Sequence, residues 1–207
     1  MKTFGTIFII SAPSGAGKSS LIKKFLESKY LDNIYSSISY TTREIRNGEI
    51  EGVHYHFVSK KKFKNLINKN FFLEYAKVFK NFYGTSLNSL KKLLKQGIDV
   101  FLDIDWQGAK EIKKKIPSSK SIFILPPSKK DLYKRLKKRN RDKRNIILNR
   151  LKNSSKEISH LYEYDYLIIN DNFKKSLKAI KNIILSNRLL INHQIFKNFK
   201  LIKSLLF

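Results

Sequence analysis

The sequence predicts an α/β fold, a parallel core sheet flanked by helices, with an inserted lobe and a lid. Three observations carry that reading. Apolar runs rich in Ile, Val and Phe alternate with helical patterns along most of the 207 residues, which implies parallel strands with helices on both faces. The first such run, IFII at 7–10, opens into a small glycine-bearing turn followed at once by a helical pattern. A long block, residues 35–90, then separates that helix from the next buried strand, and it is too long to be a loop.

The opening stretch, TIFIISAPSGAGKSS at 6–20, organises the rest. It reads strand, turn, Gly17-Lys18-Ser19, then a helix through Leu21, Ile22, Phe25 and Leu26, which is the setting of a P-loop. The motif asks for glycine where Ala12 stands, but alanine is nearly as small. Gly15 and Gly17 still let backbone N–H groups converge on an anion. The helix that starts near Lys18 points its positive end at the same place. The segment Ala12, Pro13, Ser14, Gly15, Ala16, Gly17, Lys18, Ser19 and Ser20 is therefore expected to bind ATP. Lys18 would follow the β- and γ-phosphates, and the Ser19 hydroxyl would join a Mg²⁺ shell. The fold class becomes that of the P-loop NTPases.

The remaining elements follow in order. A short strand-like stretch from Ile34 precedes Thr41-Thr42-Arg43, a polar turn at Asn47-Gly48 and a second alternating stretch to Val58. Residues 60–68 predict a helix with Phe63, Leu66 and Ile67 inward, and residues 71–79 a strand carrying Glu74 among apolar neighbours. Asn81-Phe82-Tyr83-Gly84-Thr85 reads as a turn into a helix capped by Ser86 and ended at Gly97. The core resumes with a buried strand over 98–104, closed by Asp103 and Asp105, and a helix from Trp106 to Lys115. Then come a strand over 121–125, a break at Pro126-Pro127, and a helix begun by Ser128 and Asp131 in a capping-box-like pair. A basic stretch to Arg150, a helix to about His160, a strand over 166–169 and a helix from Phe173 complete the pattern. The mixed apolar and basic segment 187–207 is expected to be a helix packed on the body, in preference to a membrane-surface helix.

Composition narrows the function. With no cysteine there is no disulfide framework, thiolate metal site or cysteine nucleophile. A cleaved leader would remove the phosphate site, and no apolar run spans a bilayer, so a cytoplasmic protein is expected. The formal charge of +27 invites a nucleic-acid reading, but its lysines are spread along the whole chain. No specific nucleic acid and no membrane are therefore expected as partners, while a homo-oligomer is left open. His54, His56, His160 and His193 read as structural or surface residues.

Beyond the P-loop, the chain resembles the guanylate kinase family over nearly its whole length. The resemblance rests on SAPSGAGKSSL, SYTTREIRNGE followed by GVHYHFV, FLEYAKVFKNFYGT, VFLDIDWQG, SIFILPPS and EYDYLIINDN, in that order. It implies transfer of phosphate from ATP to GMP or dGMP, with Mg²⁺, in purine nucleotide metabolism and GMP recycling. It also implies three parts: a core (1–34, 91–133 and 154–207), a GMP-binding lobe (35–90) and a lid (134–153). Carried over, Arg43, Arg46, Tyr55 and Tyr83 hold the GMP phosphate, and Ser39, Glu74, Thr85 and Asp105 surround the guanine with Gly84 among them. Lys18, Arg43, Arg135 and Arg150 become the catalytic cations, and Arg139 a further lid arginine on ATP. Asp103 assists the metal through water, and Asn170 lies near the adenine.

These residue types suit the chemistry. Phosphoryl transfer asks for alignment and charge neutralisation more than for covalent catalysis, and arginine holds two phosphate oxygens at once. The chain departs from the family pattern at Ile45 and Asn47, where prolines are usual, and in its lid, where Arg139-Asn140-Arg141-Asp142-Lys143-Arg144 lacks the usual glycine and acidic run. Three competing readings stand beside this one: a P-loop kinase for another acceptor, a non-catalytic module that binds proteins, and a nucleic-acid-binding protein.

Overall fold

The computed structural model describes residues 5–78, 80–138 and 144–206. Strand β1 (Ile7–Ser11) is buried along its whole length and lies at the centre of a five-stranded parallel sheet. The sheet order is β2-β7-β1-β8-β9, with β2 (Ile34–Ser36), β7 (Asp99–Asp103), β8 (Lys120–Leu125) and β9 (Tyr166–Ile169). Both faces of β1 are covered, which explains its unbroken apolar run. Phe8 and Ile10 face one core with Leu21, Phe25, Phe101 and Ile180, whereas Ile7 and Ile9 face another with Leu90, Leu102 and Ile112.

Helix α1 (Lys18–Glu27) follows β1, and its buried residues are Leu21, Ile22 and Phe25. Helix α3 (Leu87–Lys95) is capped by Ser86, whose side chain accepts the Ser89 N–H. Helix α4 runs over Trp106–Lys115, the bounds read from the sequence, because Asp105 caps it by accepting the Gly108 N–H. Helices α5 (Lys129–Lys138) and α6 (Arg144–Ile158) pack on each other, and Ser128 Oγ accepts the Asp131 N–H at the start of α5. Helix α7 (Phe173–Arg188) returns along the sheet and packs against α1.

The block between α1 and α3 forms a second sheet of order β4-β3-β6-β5, with β3 (Tyr40–Thr41), β4 (His56–Phe57), β5 (Phe72–Val78) and β6 (Asn81–Ser86). Helix α2 (Lys60–Asn68) lies on it through Phe63, whose ring stacks on Phe72 at 4.5 Å and on Phe82 at 5.5 Å between centroids. Tyr35 and Ser36 pair with β7 in the core sheet, so the second sheet takes up the chain only from Tyr40.

Two expectations are corrected here. Residues 81–85 are not a turn but most of β6, paired antiparallel with both β5 and β3. Asn81 and Gly84 look like turn residues in isolation, and cross-strand pairing overrides that local preference. The C-terminal segment is not one helix packed on the body. Asn187 and Arg188 end α7 and are tied to Thr6 and Asp99, and α8 (Ile191–Lys197) and α9 (Phe199–Leu206) follow. Neither has a buried residue, although Asn192, His193 and Phe196 of α8 line a cavity with Gly5 and Thr6. Leu205 and Leu206 are exposed. Among the described residues, no helix is long and apolar enough to cross a membrane.

Candidate active site

The parallel register sets the donor side. β1 ends at Ser11 with Ile10 opposite Asp103 of β7, so the turn after β1 and the carboxylate ending β7 emerge side by side. Gly17 precedes α1 with φ 100°, and a Cβ there would come within 2.6 Å of Asn170 Nδ2. Both the left-handed backbone and the close approach demand glycine. Lys18 Nζ lies 2.6 Å from Asp103 Oδ1 and donates to the Ile104 carbonyl at 3.2 Å. Ser19 Oγ donates to Asp103 Oδ2 at 3.0 Å. Ser20, next on α1, is exposed.

The loop is braced from below. The Ala16 N–H returns to the Pro13 carbonyl at 3.0 Å, and the Ala16 carbonyl accepts both Arg135 Nη1 (3.0 Å) and Asn170 Nδ2 (2.8 Å). Arg135 Nη2 donates to the Asn170 carbonyl at 2.8 Å, while Leu132 and Leu136 of α5 pack beneath Gly15. Asn170 is buried, and its Oδ1 accepts from Ser176 Oγ. In this structure Asn170 is a brace under the P-loop, not a side chain held open to a base, and Arg135 is spent on two carbonyls. Arg150 is half-buried on α6. Arg139 lies outside the described residues.

On the acceptor side, Arg43 Nη2 pairs with Glu49 Oε1 at 2.7 Å, and its guanidinium lies 5.3 Å from the Tyr55 ring centroid. Burial works against the Arg43 charge, but the hydrogen bond and charge of Glu49 outweigh it and hold the guanidinium protonated. The Arg46 N–H binds the other Glu49 oxygen at 2.9 Å, while its side chain is exposed. Burial pushes the Tyr55 hydroxyl up to about 12, with Asp103 and Tyr83 adding to the shift, so it remains a neutral donor. The Tyr55 and Tyr83 rings meet edge-on at 6.0 Å.

Glu74 is the most constrained group. It is 3 % exposed and accepts the Thr85 hydroxyl at 2.6 Å. A register shift in β5 between Phe72 and Glu74 re-aims it so that it stands opposite Thr85 on β6. Burial raises its carboxyl to about 7; Thr85 opposes the rise, while Asp105 and Glu111 add to it. Gly84, also buried, lies next on β6 against Phe72.

Two adjoining cavities, of about 240 and 180 Å³, share Lys18, Tyr55, Asp103 and Asp105 in their walls. The first is otherwise lined by the P-loop together with Trp106, Phe123 and Glu157. The second holds Ser39, Glu74 and Tyr83. A larger cavity of about 490 Å³, at Gly5, Lys115 and His193, is remote from both. The shared wall places a phosphate cradle beside a base-sized pocket, with Lys18 at the boundary.

The donor set fits a magnesium ion. Ser19 Oγ and the Asp103 carboxylate are hard oxygens converging at the phosphate cradle, and Mg²⁺ takes few protein ligands, leaving the rest to water and phosphate. Among the described residues, no group of three or more His, Asp or Glu side chains could hold a metal by itself.

The family model for guanylate kinase matches residues 5–187. The chain belongs to the guanylate kinase family. It is 62 % identical over 169 residues to a guanylate kinase of Buchnera aphidicola subsp. Acyrthosiphon pisum, covering 82 % of each chain. It is 59 % identical over 170 residues to one from Mannheimia succiniciproducens, again covering 82 % of each. The crystal structure of guanylate kinase from Anaplasma phagocytophilum superposes with a TM-score of 0.78 at 35 % identity, over 93 % of this chain and 90 % of that one.

Three residues of the site escaped the sequence reading. Glu49 pairs with Arg43, and its only signal was its place after the Asn47-Gly48 turn. Gly108 leaves room for Glu74, since a Cβ there would come within 2.7 Å of Glu74 Oε2. Glu157 of α6 accepts the Ser14 N–H at 3.3 Å, and nothing local marked it.

Proposed function

We propose that this protein transfers the γ-phosphoryl group of ATP to GMP, and to dGMP, in a direct in-line step. The observation that carries this reading is the buried Glu74–Thr85 pair, set one cavity away from the Lys18 cradle. Guanine presents N1–H and an exocyclic amine side by side, and an ionised Glu74 accepts both. Ser39, Thr85 and Asp105 line or edge the same pocket and serve the rest of the base. Adenine offers an acceptor at N1 and no amine at C2, which would leave a buried carboxylate unpaired, at a cost of roughly 1–3 kcal/mol or more.

The GMP phosphate is held by Arg43, with Arg46, Tyr55 and Tyr83, so one of its oxygens faces the γ-phosphorus. That oxygen forms the new P–O bond as the bond to the β–γ bridging oxygen breaks, giving GDP and ADP. Lys18 follows the transferring group and neutralises charge as it develops. Ser19 and, through water, Asp103 would hold Mg²⁺, which would supply charge neutralisation at the phosphates. Arg150, with Arg139, belongs to the lid (134–153) that closes on ATP, while the lobe (35–90) brings GMP to the core and water is excluded. Arg135 reaches the phosphates from beneath the loop it now braces. The reaction serves GMP recycling in the cytoplasm.

A coupled assay of ADP release with GMP, AMP, CMP and UMP tests the reading. Transfer to GMP at least about 10⁴-fold more efficient than to AMP is expected; equal use of AMP would overturn the role of Glu74.

A further inference from the structure

The end of α6 and the residues just after it touch the P-loop and the start of α4. On the donor side, Glu157, one residue before the end of α6, accepts the Ser14 N–H and shares the P-loop cavity with Lys18 and Ser19. Trp106 lines the same cavity; Lys156 Nζ lies 5.9 Å from its ring, and His160 stacks on that ring at 3.7 Å with 7° between planes. Trp106 follows Asp105, which caps α4 and lines the base pocket. One short stretch, 156–160, is therefore in contact with the phosphate loop and with the helix start that carries Asp105.

Glu157 is badly placed for its own charge. A carboxylate in the last turn of a helix faces the negative end of the dipole. Burial and Asp105 push it toward its neutral form, whereas Lys18 and the Ser14 N–H favour the charge. What holds the carboxylate in place is thus the same cation and a backbone N–H of the same loop that is built to receive phosphate. Arg150 stands seven residues earlier on α6, two turns away and within about 20° of the same face.

We propose that Glu157 is a positioning residue: an internal anion that occupies the P-loop from the lid side until nucleotide phosphate displaces it, releasing the last turn of α6. Incoming phosphate competes for Lys18 and repels the carboxylate, so arrival of ATP frees the helix that carries Arg150. Glu157 thereby weakens ATP binding and discourages hydrolysis before GMP is in place. This rests on reading the P-loop as the ATP site.

Glu157→Gln tests it, because the amide keeps the size and an oxygen for the Ser14 N–H but removes the charge. ATP affinity is read from the fluorescence of Trp106, the single tryptophan of the chain, alongside kcat, the KM of each substrate and ADP release without GMP. The variant is expected to bind ATP about three- to ten-fold more tightly, the effect of removing one nearby like charge. Its KM for GMP should stay within about twofold, and GMP-independent ATP hydrolysis should rise relative to transfer. Should the Gln variant lose its fold, Glu157→Asp decides, since its carboxylate falls short of the Ser14 N–H and should also tighten ATP. Unchanged or weaker ATP binding in a folded variant overturns the proposal. If the unaltered chain uses AMP as readily as GMP while Glu157→Gln still tightens ATP, the acceptor assignment fails and the role of Glu157 stands.

Discussion

The proposed donor and acceptor sides hold their cations, Lys18 and Arg43, in the same way but build them at opposite ranges of the chain. On the donor side the phosphate nest is local, Ala12 to Ser19, while its counter-charge Asp103 comes from a strand 85 residues beyond Lys18. On the acceptor side the counter-charge is local, Glu49 six residues beyond Arg43, while the base pocket is gathered from Ser39, Glu74, Thr85 and Asp105. Both cations are thus paired with a carboxylate in the nucleotide-free protein, and on the proposed reading phosphate displaces that carboxylate in place of meeting a bare cation. On this reading the anion site is built from a short motif plus one neighbouring strand, whereas the base site draws residues from both sheets.

The sharpest way to break this comparison is Lys18→Ala. It should reduce transfer by about 10³-fold or more, with GMP affinity kept within a few-fold. Equal loss of GMP binding, read by titration calorimetry, would mean that the two sides are not separable. Next, Glu74→Ala should lower kcat/KM for GMP by about 10²- to 10⁴-fold and collapse the preference over AMP, with the KM for ATP retained. Gly108→Ala should act on the same side without touching substrate. Its Cβ must push Glu74 aside, and a misplacement of that order raises the KM for GMP by about 10- to 100-fold; a normal KM would show that Gly108 does not set the pocket.

A pH experiment isolates Glu74 in the nucleotide-free protein. Its folded value of about 7 lies above the ordinary 4.5, so the folded state binds the extra proton. Its contribution to stability is present below about pH 4.5 and is lost as pH rises through 7. From pH 5 to 8, Tm should therefore fall more in the unaltered chain than in Glu74→Gln. Parallel curves would contradict the buried, neutral carboxyl. The smallest effect belongs to Glu49→Gln, which removes the internal competitor of GMP phosphate at a partly exposed pair. A KM for GMP lower by about two- to five-fold is expected, less so at high salt.

Much of the core was legible because its signals are local. The P-loop, the start of α4 at Trp106 and the strand 166–169 each depend on residues within a few positions of one another. Strand β6 was not legible, because Asn81 and Gly84 carry turn preferences that only pairing with β3 and β5 overrides. The split of the C-terminal segment into α8 and α9 was not legible, because an apolar pattern states that a face wants burial, and not how much of it the body covers.

By itself, the sequence determined the fold class and the family, and it named the loop and the residue types proposed for the chemistry. Tertiary structure decided what those residues do before substrate binds. It set Asn170 and Arg135 under the Ala16 carbonyl, bulged β5 so that Glu74 meets Thr85, and carried Glu157 from the far end of α6 to the Ser14 N–H. The physical reason is range. Backbone conformation and capping are fixed by neighbours in the chain, whereas the charge and hydrogen-bond partners of a buried group are fixed by whatever the packed sheets bring within about 3 Å of it.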